Sequence, residues 1–326
     1  MATILRRKDG VSHELVRYRA GTECPRPESY KEDVRTMSQA LSGLGEEESA
    51  AESPRAKATY REIATMAESG WDFSSRWLED PRGSDLATAR ITRTIPADLN
   101  TIVARMESNV AAIAGTCSEA DISRKYRDLS EKRFRAVDAL LWDGETRQWR
   151  DLVLSDDGGG EIGAGDQEGG GERACAFGSE NVASNWLPLW RPRTEDEACA
   201  DRASTAIASL EASGLIQPGG LATSVRRTGH QWDFPNAWAP LQYLTHQALV
   251  ATETEKGLIL SEQIAKRFVA NARKAWAQTG QMHEKYDAER PGRCGGGGEY
   301  VPQTGFGWTN GVVLKFLTLY DEFPDL

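Results

Sequence analysis

The stretch Ala97–Thr116, ADLNTIVARMESNVAAIAGT, decides the fold class. Leu99, Ile102, Val103, Met106, Val110 and Ile113 recur at three- and four-residue spacing, the period of an amphipathic helix. Just downstream, Ser118 followed three residues later by Asp121 reads as a capping-box-like start. The next helix then carries Tyr126, Leu129, Phe134, Val137, Leu140 and Leu141 at the same period. Further helices are predicted over 56–68, 194–212, 238–251, 261–279 and 309–320, separated by short polar or glycine-rich loops. Sustained period-two alternation is almost absent, so the expected fold class is all-α, built from helical hairpins.

Two regions break this rhythm. Residues 42–53 are rich in Glu, Ser, Gly and Ala and read as a linker between helices. Within 155–178 lies DDGGGEIGAGDQEGGGE, too poor in apolar residues to offset the entropy of ordering it. It is expected to be a disordered surface insertion, since the alternating-aspartate spacing of a calcium loop is missing. Helices of one type continue on both sides of each region, which makes 1–326 a single domain.

With 326 residues, 39% hydrophobic and 27% charged, the chain can bury a sizeable core. A net charge of −10 excludes a general nucleic-acid binder, which needs a basic face, but leaves neutral ligands open. No apolar window of about 18 residues exists to span a membrane. The first ten residues lack the apolar core of a signal peptide, and nothing chooses a compartment. Ten tryptophans suit either stacking on sugar rings or ordinary core filling. Five cysteines form no CxxC pair, and the four histidines show no metal-ligand spacing, so neither a metal nor a cofactor is expected.

Several loops combine glycine, tryptophan and a carboxylate. In Glu68–Trp77 (ESGWDFSSRW), Gly70 permits a bend, and Asp72 beside Trp71 would sit in a partly apolar setting. Desolvation of that kind raises a carboxyl pKa, as a general acid needs. The competing reading is a helix C-terminal turn whose aromatics pack inward. Residues 229–240 (GHQWDFPNAWAP) hold two indoles, a carboxylate and two stiffening prolines. Glu284 lies in 281–286 (QMHEKY), followed by 295–300 (GGGGEY) and 305–311 (GFGWTNG). Four glycines in a row resemble a phosphate cradle, but no Lys-Ser/Thr pair follows them. Loops of this kind at helix ends would gather Asp72, Glu284 and Glu299 with indoles on one rim, which is what acid/base cleavage of a glycosidic bond requires.

At these motifs the chain resembles the trehalases of glycoside hydrolase family 37. QWDFPNAWAP is similar to a family signature, and CGGGGEYVPQTGFGWTNGVVL to its glycine-rich C-terminal block. SGWDFSSRW, HEKY and CPRPESYKEDV resemble the segments carrying the general acid, the general base and substrate contacts. The motifs stand in family order between about Arg17 and Tyr320. The resemblance implies Asp72 as acid, Glu284 as base, and Arg26, Glu28, Gly70 and Glu299 as contacts to sugar hydroxyls. It also implies that Trp232, Trp238 and Trp308 line the pocket.

The same resemblance implies an (α/α)6 barrel and inverting hydrolysis of trehalose to two glucose molecules, without cofactor. The other family signature, PGGRF…WDSY-like, is absent, so the match covers the C-terminal half of the family domain. A partial barrel is therefore expected, with a complementary N-terminal segment as a possible partner. The rival readings are an inactive fragment that binds sugar or a protein, and a glycosidase acting on a different glucoside. Ala237 and Cys294 stand where relatives often carry glycine and an acidic residue.

Overall fold

The computed structural model describes all residues except 8–10, 43–52, 81, 84, 156–160, 163–174, 193–196, 299 and 324–326. Its α-helices are α1 (Tyr30–Ser42), α2 (Pro54–Glu68), α3 (Ala97–Thr116), α4 (Ala120–Leu141), α5 (Glu197–Ala212), α6 (Ala239–Val250), α7 (Glu255–Thr279) and α8 (Gly307–Leu319). No described helix is long and apolar enough to cross a membrane.

Helical hairpins build the scaffold. α3 packs on α4, α6 on α7, and α8 against both α6 and α7. A 3-10 segment, Ala183–Leu189, lies against α3 and α6. A larger core gathers Ile63, Trp77, Trp149, Trp186, Leu221 and Trp238. A smaller one holds Ala237, Phe268, Tyr286 and Phe316 under α7 and α8.

Three expectations need correction. The chain is helix-rich but not purely helical, because short strands form small sheets. Ala2–Arg7 pairs with Ser12–Val16, Thr94–Ile95 with Leu152–Leu154, and Asn236–Trp238 with Lys285–Asp287. Most of these strands run two or three residues, too short to leave an alternating pattern in the sequence. Next, Ser118 does not cap α4. It has a left-handed φ of 64° and closes the turn after α3, while Glu119 is the N-cap and makes no side-chain cap bond.

The third correction concerns α3 itself. Its buried face is Ala97, Asn100, Thr101, Ala104, Glu107, Ala111 and Ala114, small and polar residues rather than the apolar stripe. Small side chains let α4 approach closely: the Ser123 and Ser130 hydroxyls donate to the Ala111 and Ala104 carbonyls at 2.8 Å. Arg133 forks onto Glu107 at 2.7 and 3.0 Å across the same seam. Met106, Val110 and Ile113 stay exposed.

The insertion predicted over 155–178 lies mostly outside the described residues. Its described parts are strand Glu161–Ile162, parallel to Ala2–Arg7, and strand Cys175–Phe177, antiparallel to Leu152–Leu154. All five cysteines are free thiols.

Candidate active site

The Asp72 loop begins where α2 ends. Gly70 adopts φ +76°, a left-handed turn that a Cβ would disfavour, and the Ser69 hydroxyl accepts the Trp71 amide at 3.1 Å. Trp71 and Phe73 are buried on either side of the half-buried Asp72. The loop is then pinned from below by Asp233, a fully buried carboxylate. Asp233 accepts from the hydroxyls of Ser74, Ser75, Ser224 and Thr228 at 2.6–3.0 Å and from the Ser75 amide at 2.9 Å. Five donors around one carboxylate satisfy its charge without a cation.

Next along the chain, Arg76 is buried between two carboxylates. It forks onto Asp98 at 2.7 and 2.8 Å and onto Asp151 at 2.7 and 3.0 Å. Its guanidinium lies 4.5 and 4.2 Å from the Trp71 and Trp77 ring centres. Burial opposes its charge, but the paired carboxylates outweigh that and hold its pKa above the ordinary arginine value.

The second carboxylate arrives by strand pairing. Asn236–Trp238 and Lys285–Asp287 form an antiparallel ladder that sets Trp238 opposite Lys285. Glu284 precedes that strand and is 2% exposed. Its Oε1 accepts from the Tyr300 hydroxyl and its Oε2 from the Gln303 amide, both at 3.2 Å. The Trp308 indole N–H and the Thr309 hydroxyl donate to its backbone carbonyl at 3.3 and 3.2 Å. The Glu284 loop is thereby tied to the start of α8.

Gln231 joins the two loops. Its amide nitrogen donates to the Asp72 carbonyl, its Oε1 accepts from Lys285 Nζ at 2.7 Å, and its side chain also hydrogen-bonds Tyr300. Burial pushes the Tyr300 phenol up to about 12, and the nearby Glu284 and Asp72 carboxylates act in the same direction. The glycine run closes over this network. Asn236 binds the amide and carbonyl of Gly296 at 3.0 and 2.9 Å. A Cβ at Gly297 would strike the Gly229 carbonyl, and one at Gly298 would sit 2.9 Å from Gln231 Oε1. Gly295, Gly297 and Gly298 serve close approach, whereas Gly296 has open space where a Cβ would be.

The structure thus brings Asp72, Glu284 and Trp308 into one neighbourhood, though not every expected residue occupies it alike. Arg26 forks onto Asp33 at 2.7 and 3.0 Å, with its guanidinium 5.2 Å above the Phe73 ring. Glu28 is exposed on the turn Pro27–Ser29, Gly70 is exposed at its helix end, and Glu299 lies outside the described residues. Trp232 and Trp238 are 5% and 1% exposed and stack on each other at 4.1 Å, with Trp71 stacked on Trp232 at 5.3 Å. Trp308, 37% exposed, meets Trp238 edge-on at 5.6 Å.

Gln231, Lys285, Tyr300 and Asp233 were not singled out by the sequence. The available signal was that all four lie within, or next to, the motif segments. Two hollows of about 750 and 860 Å³ lie elsewhere, one under Arg147, Glu180 and Arg226, the other between α3, α4 and Arg191.

Two carboxylates on loops joined through Gln231, next to stacked indoles, are groups that acid/base cleavage of a glycoside uses. The comparison with known proteins narrows this. The trehalase family model matches residues 3–321, and the chain belongs to that family. It is 41% identical over 318 residues to a probable trehalase of Oryza sativa subsp. japonica, covering 96% of this chain and 53% of that protein. It is 35% identical over 319 residues to a trehalase of Homo sapiens, covering 96% and 49%. Neutral trehalase Nth1 from Saccharomyces cerevisiae superposes with a TM-score of 0.67 at 20% identity, covering 94% of this chain and 53% of that one. The chain spans about half the length of the relatives it matches.

Proposed function

We propose that this chain carries the acid/base pair of an inverting trehalase. Asp72, in its protonated form, gives its proton to the glycosidic oxygen as the bond to the anomeric carbon breaks. Glu284, ionised, takes a proton from a water that attacks that carbon from the opposite face. One glucose leaves with its configuration kept and the other is inverted. Proton exchange with solvent then returns Asp72 to its acid form and Glu284 to its base form. A water must fit between the two groups, which implies a separation of roughly 6.5–9.5 Å. Arg26, Glu28, Gly70 and Glu299 are assigned to sugar hydroxyls by likeness to the family motifs.

The observation that carries this reading is the convergence of the Asp72 and Glu284 loops on Gln231, which touches one loop directly and the other through Lys285 and Tyr300. The exposed apolar side chains fit a partial (α/α)6 barrel. Met106, Val110 and Ile113 on α3 are 59%, 39% and 64% exposed, and Leu314 and Leu317 on α8 are 64% and 49% exposed. Helix faces of that kind are normally covered, and the other half of the family domain is the cover we assign. The same exposure favours the second reading, a chain inactive until that half is supplied.

One experiment tests both. Glucose release from trehalose is followed by NMR of the anomers, with the chain alone and with the complementary half of a relative added. Equal initial amounts of α- and β-glucose, abolished by Asp72→Asn and by Glu284→Gln, are expected. Undiminished rates in either variant would refute the assigned roles.

A further inference from the structure

Lys285 is a lysine with no exposed surface, one residue from the proposed base. Burying an ammonium is costly unless something nearby repays it. Here three things do. Gln231 Oε1 accepts from Nζ at 2.7 Å, the Trp238 ring centre lies 4.8 Å away, and the Tyr300 ring centre lies 5.6 Å away. The ionisable groups facing the ammonium are Glu284, Cys294, Asp72 and the Tyr300 phenol. Glu284 lies in the bend just before the strand and Lys285 is its first residue, and their side chains take different partners, Glu284 the Gln303 amide and Lys285 the Gln231 side-chain oxygen. Tyr300 then spans the gap, donating to Glu284 while its ring covers the ammonium.

Resting on the trehalase reading above, we propose that Lys285 is a positioning residue: its ammonium, gripped by Gln231, fixes the place of the Glu284 carboxylate relative to the Asp72 loop. Gln231 is the part that makes this mechanical. One end of its amide holds Lys285 and the other holds the Asp72 carbonyl, so the acid and base loops cannot move independently. The cation stands off the reacting groups, and its effect on the reaction passes through Glu284.

Cys294 supplies a readout that does not depend on turnover. The residue is exposed but its thiol is half-buried; burial and Glu284 push the thiol up, and the Lys285 charge pulls it down. Deleting that charge therefore raises the pH midpoint of Cys294 alkylation, followed at the level of its own peptide by mass spectrometry. The same deletion lowers kcat on trehalose.

Lys285→Met deletes the charge, and Lys285→Gln deletes it while keeping a donor for Gln231, so one serves if the other does not fold. Each is expected to raise the Cys294 midpoint. Each should also lower kcat about tenfold or more with KM little changed, and Lys285→Arg, which keeps the charge, should restore both the midpoint and kcat. Folded neutral variants with kcat unchanged would overturn the proposal, as would a loss of kcat that Lys285→Arg does not restore. A chain that releases no glucose, even with the complementary half added, sinks the trehalase reading instead. The thiol midpoint then still decides whether Lys285 charges this cleft.

Discussion

Trp238 and Lys285 face each other across a two-stranded ladder, with the ammonium 4.8 Å from the indole centre. From there a stack of indoles runs through Trp232 to Trp71, the neighbour of Asp72. Trp232 and Trp238 therefore lie in the stack that runs between the two carboxylate loops. The exposed Trp308 is the indole we assign to sugar stacking.

This division separates two kinds of variant. Trp238→Ala empties a fully enclosed slot and removes one of two donors to the Gln231 carbonyl, the indole N–H at 2.8 Å, leaving the Asn236 side-chain amide at 2.9 Å. It should cost about 3–5 kcal/mol of stability, read by denaturant unfolding. Trp308→Ala removes an exposed side chain, so it should cost less than half as much. Its effect should appear mainly as a raised KM. A Trp308 variant that unfolds as readily as the Trp238 variant would contradict the assignment.

Asp233 anchors the Asp72 loop through Ser74 and Ser75. Asp233→Ala strands the buried hydroxyls of Ser74 and Ser75 and the Ser75 amide, each stranded donor costing about 1–3 kcal/mol. The expected loss is at least about 3 kcal/mol, with activity falling further because Ser74 and Ser75 hold the segment after Asp72. Stability within about 1 kcal/mol of the parent would show that the loop is held some other way.

Much of the helical scaffold was legible in the sequence. α3 runs from Ala97 to Thr116 as its periodicity implies, and α2, α6 and α8 begin and end within two residues of the expected bounds. α7 starts earlier, at Glu255, because Thr254 accepts the Gly257 amide and caps it there. The orientation of α3 was not legible. A helix of small residues packs tightly through Ala104 and Ala111, and a period alone cannot tell that seam from the apolar stripe beside it. The site was half legible for a related reason. Asp72 and Glu284 stand out beside glycines and aromatics, whereas Gln231 and Lys285 acquire their roles only when two three-residue strands pair.

Adjacent glycines give an internally controlled test. Gly298 has φ +92°, and an added Cβ would lie 2.9 Å from Gln231 Oε1, whereas at Gly296 it would meet nothing within 4 Å. Gly298→Ala should therefore cost about 1–2 kcal/mol for the left-handed backbone alone. It should also displace Gln231 and lower kcat. Gly296→Ala should leave both nearly unchanged. Equal effects at the two positions would mean that the run is flexible rather than fitted.

The last prediction concerns acid stability. His246 on α6 is buried against Phe316, and its Nε2 lies 2.8 Å from the Tyr320 hydroxyl just past α8. Burial, with some repulsion from Lys315, lowers its pKa from 6.5 to about 4. Between those values the unfolded chain takes up a proton that the folded chain refuses. Stability from this residue is therefore complete above about pH 6.5 and is lost as pH falls toward about 4. His230 and His283 are also lowered by burial and act in the same direction. His246→Phe isolates the one contribution. Its melting temperature should fall less steeply than the parent's between pH 6.5 and 4, and parallel curves would show that His246 titrates normally in the folded chain. Because Tyr320 ties α8 to α6 here, the acid transition should first loosen α8, the helix that carries Trp308.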